Sequence, residues 1–169
     1  VGFEAYWDSR IGENSHIEFI GAAATLIYRE WKKAGLLDKM RHSTAGLLIA
    51  AILDNTLNLT SSNTTPEDVA LYIHTYGKLP CNFITKNEAK KLGWVSNKGN
   101  LWDVTDQMSI GGDRFGNYEG LLPDAEGRKW TECDVNYEGG FRGSERILFS
   151  NDGLIYYTDD HYKSFTQLY

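Results

Sequence analysis

Positive charge, cysteine and long apolar runs are all scarce in this chain of 169 residues, and each scarcity narrows what it does. Lys and Arg number 17 against 23 Asp and Glu, a formal net charge of −6. Affinity for nucleic acid normally grows with phosphate contacts and the counterions they release, so an acidic chain argues mildly against a nucleic-acid binder. An enzyme needs only a local positive cleft, and Lys86, Arg142 and Arg146 could supply one; binding would then be weak and strongly salt-dependent. The two cysteines, Cys81 and Cys133, allow one disulfide at most and form no metal-ligand cluster, so they read as thiols without a bridge. The longest apolar run, Ala45 to Leu53, falls well short of the ~18 residues that cross a bilayer, which leaves no transmembrane helix and no membrane partner. No charged n-region followed by an apolar h-region opens the chain, and its start at Val1 without Met reads as a processing boundary. What is present is foldable: 41% apolar and 24% charged residues suit one compact domain plus an accessory segment.

The halves differ in character. Residues 1–64 read as a helical segment. From Ile17, positions Ile20, Ala24, Ile27 and Trp31 recur at helical spacing, with Arg29, Glu30, Lys32 and Lys33 largely opposite and Gly35 as the stop. Ser43 or Thr44 caps a second expected helix whose body, Ala45 to Leu53, is apolar all round, as in a helix buried on several sides. Two helices cannot cover that surface alone. It must pack on the rest of the chain, on another copy, or on a missing part of a larger fold. The polar stretch Thr56 to Thr64 reads as a linker.

Residues 65–169 read as a second unit. Thr65-Pro66-Glu67-Asp68 is a helix start with an apolar face of Val69, Tyr72, Ile73 and Tyr76 before Gly77, and Thr85 caps a shorter helix ending before Gly93. Beyond Ser109 the period becomes two. Trp130, Glu132 and Asp134 alternate with Thr131, Cys133 and Val135, and Arg146 to Phe149 and Leu154 to Tyr157 flank a turn at Asn151-Asp152-Gly153. Helices followed by an antiparallel β-sheet make an α+β fold, preceded here by the N-terminal helical segment. The alternation sends Cys133, Val135 and Ile147 to the core, and Glu132 and Arg146 to the opposite, wet face.

That strand-rich stretch carries the parts for cutting RNA without a metal. Glu132 can take a proton from a 2′-hydroxyl and His161 can give one to the leaving 5′-oxygen, while Arg142 and Arg146 hold the phosphate as its charge grows. Taken alone, a Glu, a His and an Arg pair are more often surface groups in salt-bridge networks.

The order of motifs adds to this. Tyr76-Gly77-Lys78-Leu79-Pro80, Ile84-Thr85-Lys86, Leu92-Gly93-Trp94-Val95, Ser109-Ile110-Gly111-Gly112-Asp113 and Asp160-His161-Tyr162 resemble, in order and without gaps, the guanyl-specific bacterial ribonucleases of the barnase and binase type, from about Thr65 to Tyr169. The resemblance implies the microbial ribonuclease fold and an extracellular-type, secreted endoribonuclease without metal or cofactor. Such an enzyme cleaves single-stranded RNA 3′ to guanosine by transphosphorylation through a 2′,3′-cyclic phosphate. Glu132 matches its general base and His161 its general acid, with Arg142, Arg146 and Lys86 on the reacting phosphate and Tyr162 beside the histidine. Asn117, Tyr118 and Glu119 lie in the loop that reads guanine, where a carboxylate accepts from N1–H and N2–H₂ together. Tyr118 stands where relatives usually carry arginine, Gly116 where they carry serine, and Gly153 and Tyr169 where they carry tryptophan and arginine. A small acidic, barstar-like protein inhibitor is a further implied partner.

A second, partial resemblance covers residues 1–68. Phe19 to Ile27, Ala45 to Thr56 and Thr64 to Asp68 look like a piece of the DHH phosphoesterase superfamily, in which the aspartate matched by Asp54 is a metal ligand. The other Asp- and His-rich motifs are absent, and one aspartate cannot build a two-metal site, so no metal is expected. The excised-looking piece predicts association with itself or with the ribonuclease half. The runner-up function is a partner-binding or toxin-delivery module with weak or masked nuclease activity. A metal-dependent phosphohydrolase would instead lose activity to chelators and keep it when His161 is replaced.

Overall fold

The computed structural model describes residues 22–56, 59 and 64–169. The expected helix start at Ile17 and Ile20, the Phe19-Ile20-Gly21 stretch and most of the linker between Thr56 and Thr64 lie outside the described residues.

Two helices open the described chain, α1 (Ala23–Lys33) and α2 (His42–Asn55). Neither starts on a side-chain cap; α2 follows Arg41 rather than Ser43 or Thr44. Nor is α2 buried on several sides. Ile49 and Ile52 are its buried residues, while Leu47 is 72% exposed, because among the described residues no layer covers its outer side. Helix α1 is likewise buried through Ala24 and Thr25, and Ile27 of the expected apolar stripe is half exposed.

The buried sides of these helices pack on the rest of the chain, one of the coverings expected for them. Helix α3 (Pro66–Tyr76) starts on a capping box: Asp68 N–H donates to Thr65 Oγ1 at 3.4 Å, and Thr65 N–H donates to Asp68 Oδ2 at 2.8 Å. Pro66 occupies the first turn, where no N–H is missed, and Gly77 closes the helix in the left-handed conformation at φ 66°. A helix covered on one side buries a stripe, but α3 buries Asp68, Val69, Ala70, Leu71 and Ile73. It lies between the sheet and the first two helices. One core accordingly runs from Ala22, Ala24, Ile49 and Ile52 through α3 to Cys133, Val135, Ile147 and Ile155. Polar contacts seal the seam. Thr25 donates to the buried Asp68 carboxylate, Arg29 pairs with Glu67 at 3.1 Å, and Lys32 Nζ donates to Leu168 O at 2.6 Å while sitting 3.6 Å over the Tyr169 ring.

The sheet follows: β1 (Phe83–Ile84), β2 (Ser109–Phe115), β3 (Trp130–Asp134), β4 (Arg146–Ser150), β5 (Ile155–Thr158) and β6 (Thr166–Gln167), hydrogen-bonded in chain order. The β1–β2 pair is parallel and the other pairs antiparallel. Short helices α4 (Lys86–Lys91) and α5 (Leu101–Val104) sit between β1 and β2; α4 starts on the expected Thr85, whose capping-box partner is Glu88. Helices precede an antiparallel-dominated sheet, so the α+β class holds. Cys133 lies deep in the core, Cys81 is exposed, and no disulfide joins them.

Cys133, Val135 and Ile147 face the helices as alternation predicts. The opposite face is not wet. Glu132, Asp134 and Arg146 are 5%, 2% and 3% exposed, because the chain after β2 and after β5 folds back over that face. Leu122, Trp130 and Leu148 form a second core there with Phe115, Tyr162 and Phe165.

Candidate active site

Strand pairing brings the charges together. Register sets Asp134 opposite Arg146 and Glu132 opposite Leu148 across β3 and β4, and period two puts Glu132 and Asp134 on one face. Glu132 accepts from Lys86 Nζ on one oxygen and from Tyr162 Oη at 2.7 Å on the other. Lys86 begins α4, whose backbone is pinned to the sheet by Lys86 N–H donating to Asp113 at 2.9 Å. A buried carboxylate without partners would be strongly disfavoured as an anion; here an ammonium and a phenol supply what water cannot. Burial, and then the bond to Glu132, pushes the Tyr162 phenol up to about 12, so it is a donor throughout the neutral range.

Behind Glu132 sits a residue that sequence reasoning passed over. Asp134 receives Arg142 through two bonds of 2.6 Å, from Nε and Nη2, a fork that fixes the guanidinium in plane. Arg146 Nε lies 2.9 Å from Asp134 Oδ1, an ion pair out of line for a hydrogen bond, which leaves that N–H without an acceptor. Arg146 Nη1 donates to Glu145 O at 2.6 Å. The available signal was the alternation itself, which makes Asp134 the same-face neighbour of Glu132.

Arg142, Arg146 and His161 line one recess of about 500 Å³ with Ser96, Phe141, Gly143 and Ser144. Phe141, 70% exposed, is a second residue that no pattern singled out. His161 is exposed in the bend that follows β5, and it and Tyr162 both have positive φ, 59° and 70°. Such backbones are strained for residues other than glycine and persist only where surroundings hold them. Asp160 holds this one: its carboxylate accepts from Lys163 N–H, Ser164 N–H, Ser164 Oγ and Thr158 Oγ1 at 2.6–3.0 Å. Tyr162 N–H in turn donates to Thr158 Oγ1 at 3.1 Å.

The remaining candidates share a loop leaving β2. Asn117 closes it: Oδ1 accepts from Leu122 N–H at 3.0 Å, Nδ2 donates to Leu122 O at 2.9 Å, and Gly120 N–H donates to Asn117 O at 3.0 Å. Asn117 takes φ 47°, which Asn tolerates. Tyr118 and Glu119 stand exposed at the tip, and among the described residues no hydrogen bond or ion pair engages the Glu119 carboxylate. Phe115 at the loop's root stacks on Tyr162 with centroids 5.2 Å apart. Thus Tyr162 touches the loop's root, the Glu132 carboxylate and, at 4.8 Å between rings, His161. Asp54 is exposed, and the described residues contain no group of three or more His, Cys, Asp or Glu placed to hold a metal ion.

Known proteins share this part of the chain. A family model described as ribonuclease matches residues 66–169. A ribonuclease of Bacillus intermedius is 53% identical over 102 residues, covering 60% of this chain and 63% of that protein. One from Heyndrickxia coagulans is 52% identical over 102 residues, covering 60% of this chain and 94% of its own length. The guanyl-specific ribonuclease St of Saccharopolyspora erythraea is 40% identical over 55 residues, 32% of this chain and 54% of that protein. The match thus spans under two thirds of the length of the Bacillus relative.

Proposed function

Because the chain belongs to the ribonuclease family, on a segment of the barnase and binase type, we propose that it is an endoribonuclease cleaving single-stranded RNA 3′ to guanosine by transphosphorylation. Glu132 removes the 2′-hydroxyl proton, the 2′-oxygen attacks phosphorus, and the bond to the 5′-oxygen breaks as His161 donates a proton to it. The product ends are a 2′,3′-cyclic phosphate and a 5′-hydroxyl. In the second step the roles exchange: His161 takes a proton from water and Glu132 returns one to the 2′-oxygen. No electron or proton is left over, and protein groups supply every transfer.

Charge accumulates on the non-bridging phosphate oxygens during attack. Arg142 and Arg146, aimed by Asp134 at the recess that His161 lines, are preorganised donors for it. Lys86 shields the Glu132 carboxylate before substrate arrives and can turn to the phosphate once Glu132 is protonated. The observation that carries the reading is a recess lined by Arg142, Arg146 and the exposed His161 imidazole, with the buried Glu132 carboxylate bonded to Lys86 and to Tyr162, the ring next to His161.

Guanine is assigned to the loop tied off by Asn117, where the disengaged Glu119 carboxylate suits N1–H and N2–H₂. Secretion and a barstar-like inhibitor, acidic to match Lys86, Arg142 and Arg146, belong to the same proposal. It is tested by phosphorus NMR during turnover of guanylyl-3′,5′-cytidine. A cyclic phosphate that appears and then decays to the 3′-phosphate is expected; a 5′-phosphate product would overturn the chemistry.

A further inference from the structure

Tyr118 is the most exposed large hydrophobic side chain among the described residues, at 95%, and its ring lies over a glycine. An ideal Cβ built on Gly116 would meet the Tyr118 ring, Cζ at 2.5 Å and Cδ2 at 2.8 Å. The ring therefore lies against the bare Cα of Gly116. Gly116 is not in the left-handed region, so its dihedrals would admit another residue. A side chain at 116 would meet the exposed ring and turn it off this seat, which glycine leaves open.

An aromatic ring left almost wholly in water gains little from its own fold, since burial is what rewards such a surface. A ring lying over Gly116, next in the chain to a carboxylate that no partner engages among the described residues, gains more when a ligand covers it. The loop beneath is already closed by the Asn117–Leu122 bonds, so little flexibility is lost on binding. The ligand class follows from the surroundings. A flat π surface next to Glu119, on the loop rooted at Phe115 and Tyr162, suits a nucleobase of the RNA chain.

We infer that Tyr118 is a stacking platform for a nucleobase and that Gly116 is glycine in order to seat it. This rests on the proposed reading of the loop as the base-binding element and adds its means of affinity. Stacking is tolerant of base identity, whereas a cation at the same position would act through phosphate charge and fade with salt. The pair Gly116–Tyr118 gives this acidic chain a way of holding RNA that does not depend on counterion release. Discrimination for guanine is left to Glu119.

The test uses the full chain and guanylyl-3′,5′-cytidine and adenylyl-3′,5′-cytidine as substrates, with Tyr118→Ala, Tyr118→Phe, Gly116→Ser and the double variant Gly116→Ser, Tyr118→Ala. Tyr118→Ala should raise KM about tenfold, the range for losing one stacked base being roughly five- to hundredfold, with kcat within about twofold. Tyr118→Phe keeps the ring and should keep KM. The ratio of kcat/KM for guanosine over adenosine should stay the same in Tyr118→Ala and collapse in Glu119→Ala. Gly116→Ser should raise KM with Tyr118 present and do nothing in the Tyr118→Ala background, a coupling that contact predicts. An unchanged KM in Tyr118→Ala, or an equal effect of Gly116→Ser in both backgrounds, overturns the platform. Failure of the underlying reading looks different, because Glu119→Ala would then keep the parent ratio of guanosine over adenosine.

Discussion

Asp134 holds the guanidinium of Arg142 through two bonds of 2.6 Å while only 2% exposed itself. This carboxylate also faces Arg146, so one buried anion separates and aims two cations that would otherwise repel each other across the recess.

Replacing Asp134 by Asn removes that anion and strands two partly desolvated guanidinium groups. Breaking a buried pair of this kind costs about 3–5 kcal/mol, read as a lower urea midpoint. The kcat should fall about a hundredfold as the donors lose their aim. A variant with parent stability and kcat would show that Asp134 positions nothing.

Tyr162 presents a narrower case. Tyr162→Phe keeps the ring on Phe115 and removes only the hydroxyl bonded to Glu132. A hydrogen bond to a charged group contributes about 1.5–3 kcal/mol to stability, so the thermal midpoint should fall by a few degrees while kcat/KM drops about tenfold or more. An unchanged kcat/KM would make Tyr162 a packing aromatic.

Arg128 lowers the Asp152 carboxyl, from the ordinary 3.8 to about 2, chiefly through its hydrogen bonds and then with help from Ser150. A depressed folded value contributes stability that is fully present above about pH 4 and is lost as pH falls toward 2. The thermal midpoint of Asp152→Asn should lie below the parent's at pH 5 and converge with it near pH 2. A gap that is constant with pH would show that the ion pair is not its source.

Asp68 is fully buried and joins both halves of the chain: it completes the capping box of Thr65 and accepts from Thr25 of α1. Asp68→Ala should cost about 2–4 kcal/mol, a cap plus an orphaned buried donor. Because one core runs across the seam, hydrogen exchange should accelerate together in His42–Asn55 and Pro66–Tyr76. Acceleration confined to the first two helices would instead make residues 1–64 a separate unit, with the boundary where composition suggests it.

What could be read from the chain was local. Thr65-Pro66 and Thr85 announce their helices because a capping box spans four residues, and Gly77 ends one because only a left-handed residue fits there. The β-alternation correctly sends Cys133, Val135 and Ile147 inward. It misjudges the other face, since the burial of Glu132 and Arg146 depends on segments 116–122 and 158–165 folding back, which no strand pattern records. The one-sided burial of α2 depends likewise on how many layers surround it. Asp134 and Asp160 were invisible as functional groups because an aspartate on a strand or turn looks like any other until its partners are known.

The account rests most directly on Glu132 and His161 acting as a base and acid pair. The deciding measurement is cleavage of oligoribonucleotides that differ at a single G, A, C or U, with chelator present, by the parent protein and by Glu132→Ala and His161→Ala. Scission after G by the parent, abolished by each substitution in samples that remain folded, is the predicted result. Cleavage that survives the loss of either side chain, or that the chelator stops, would contradict it.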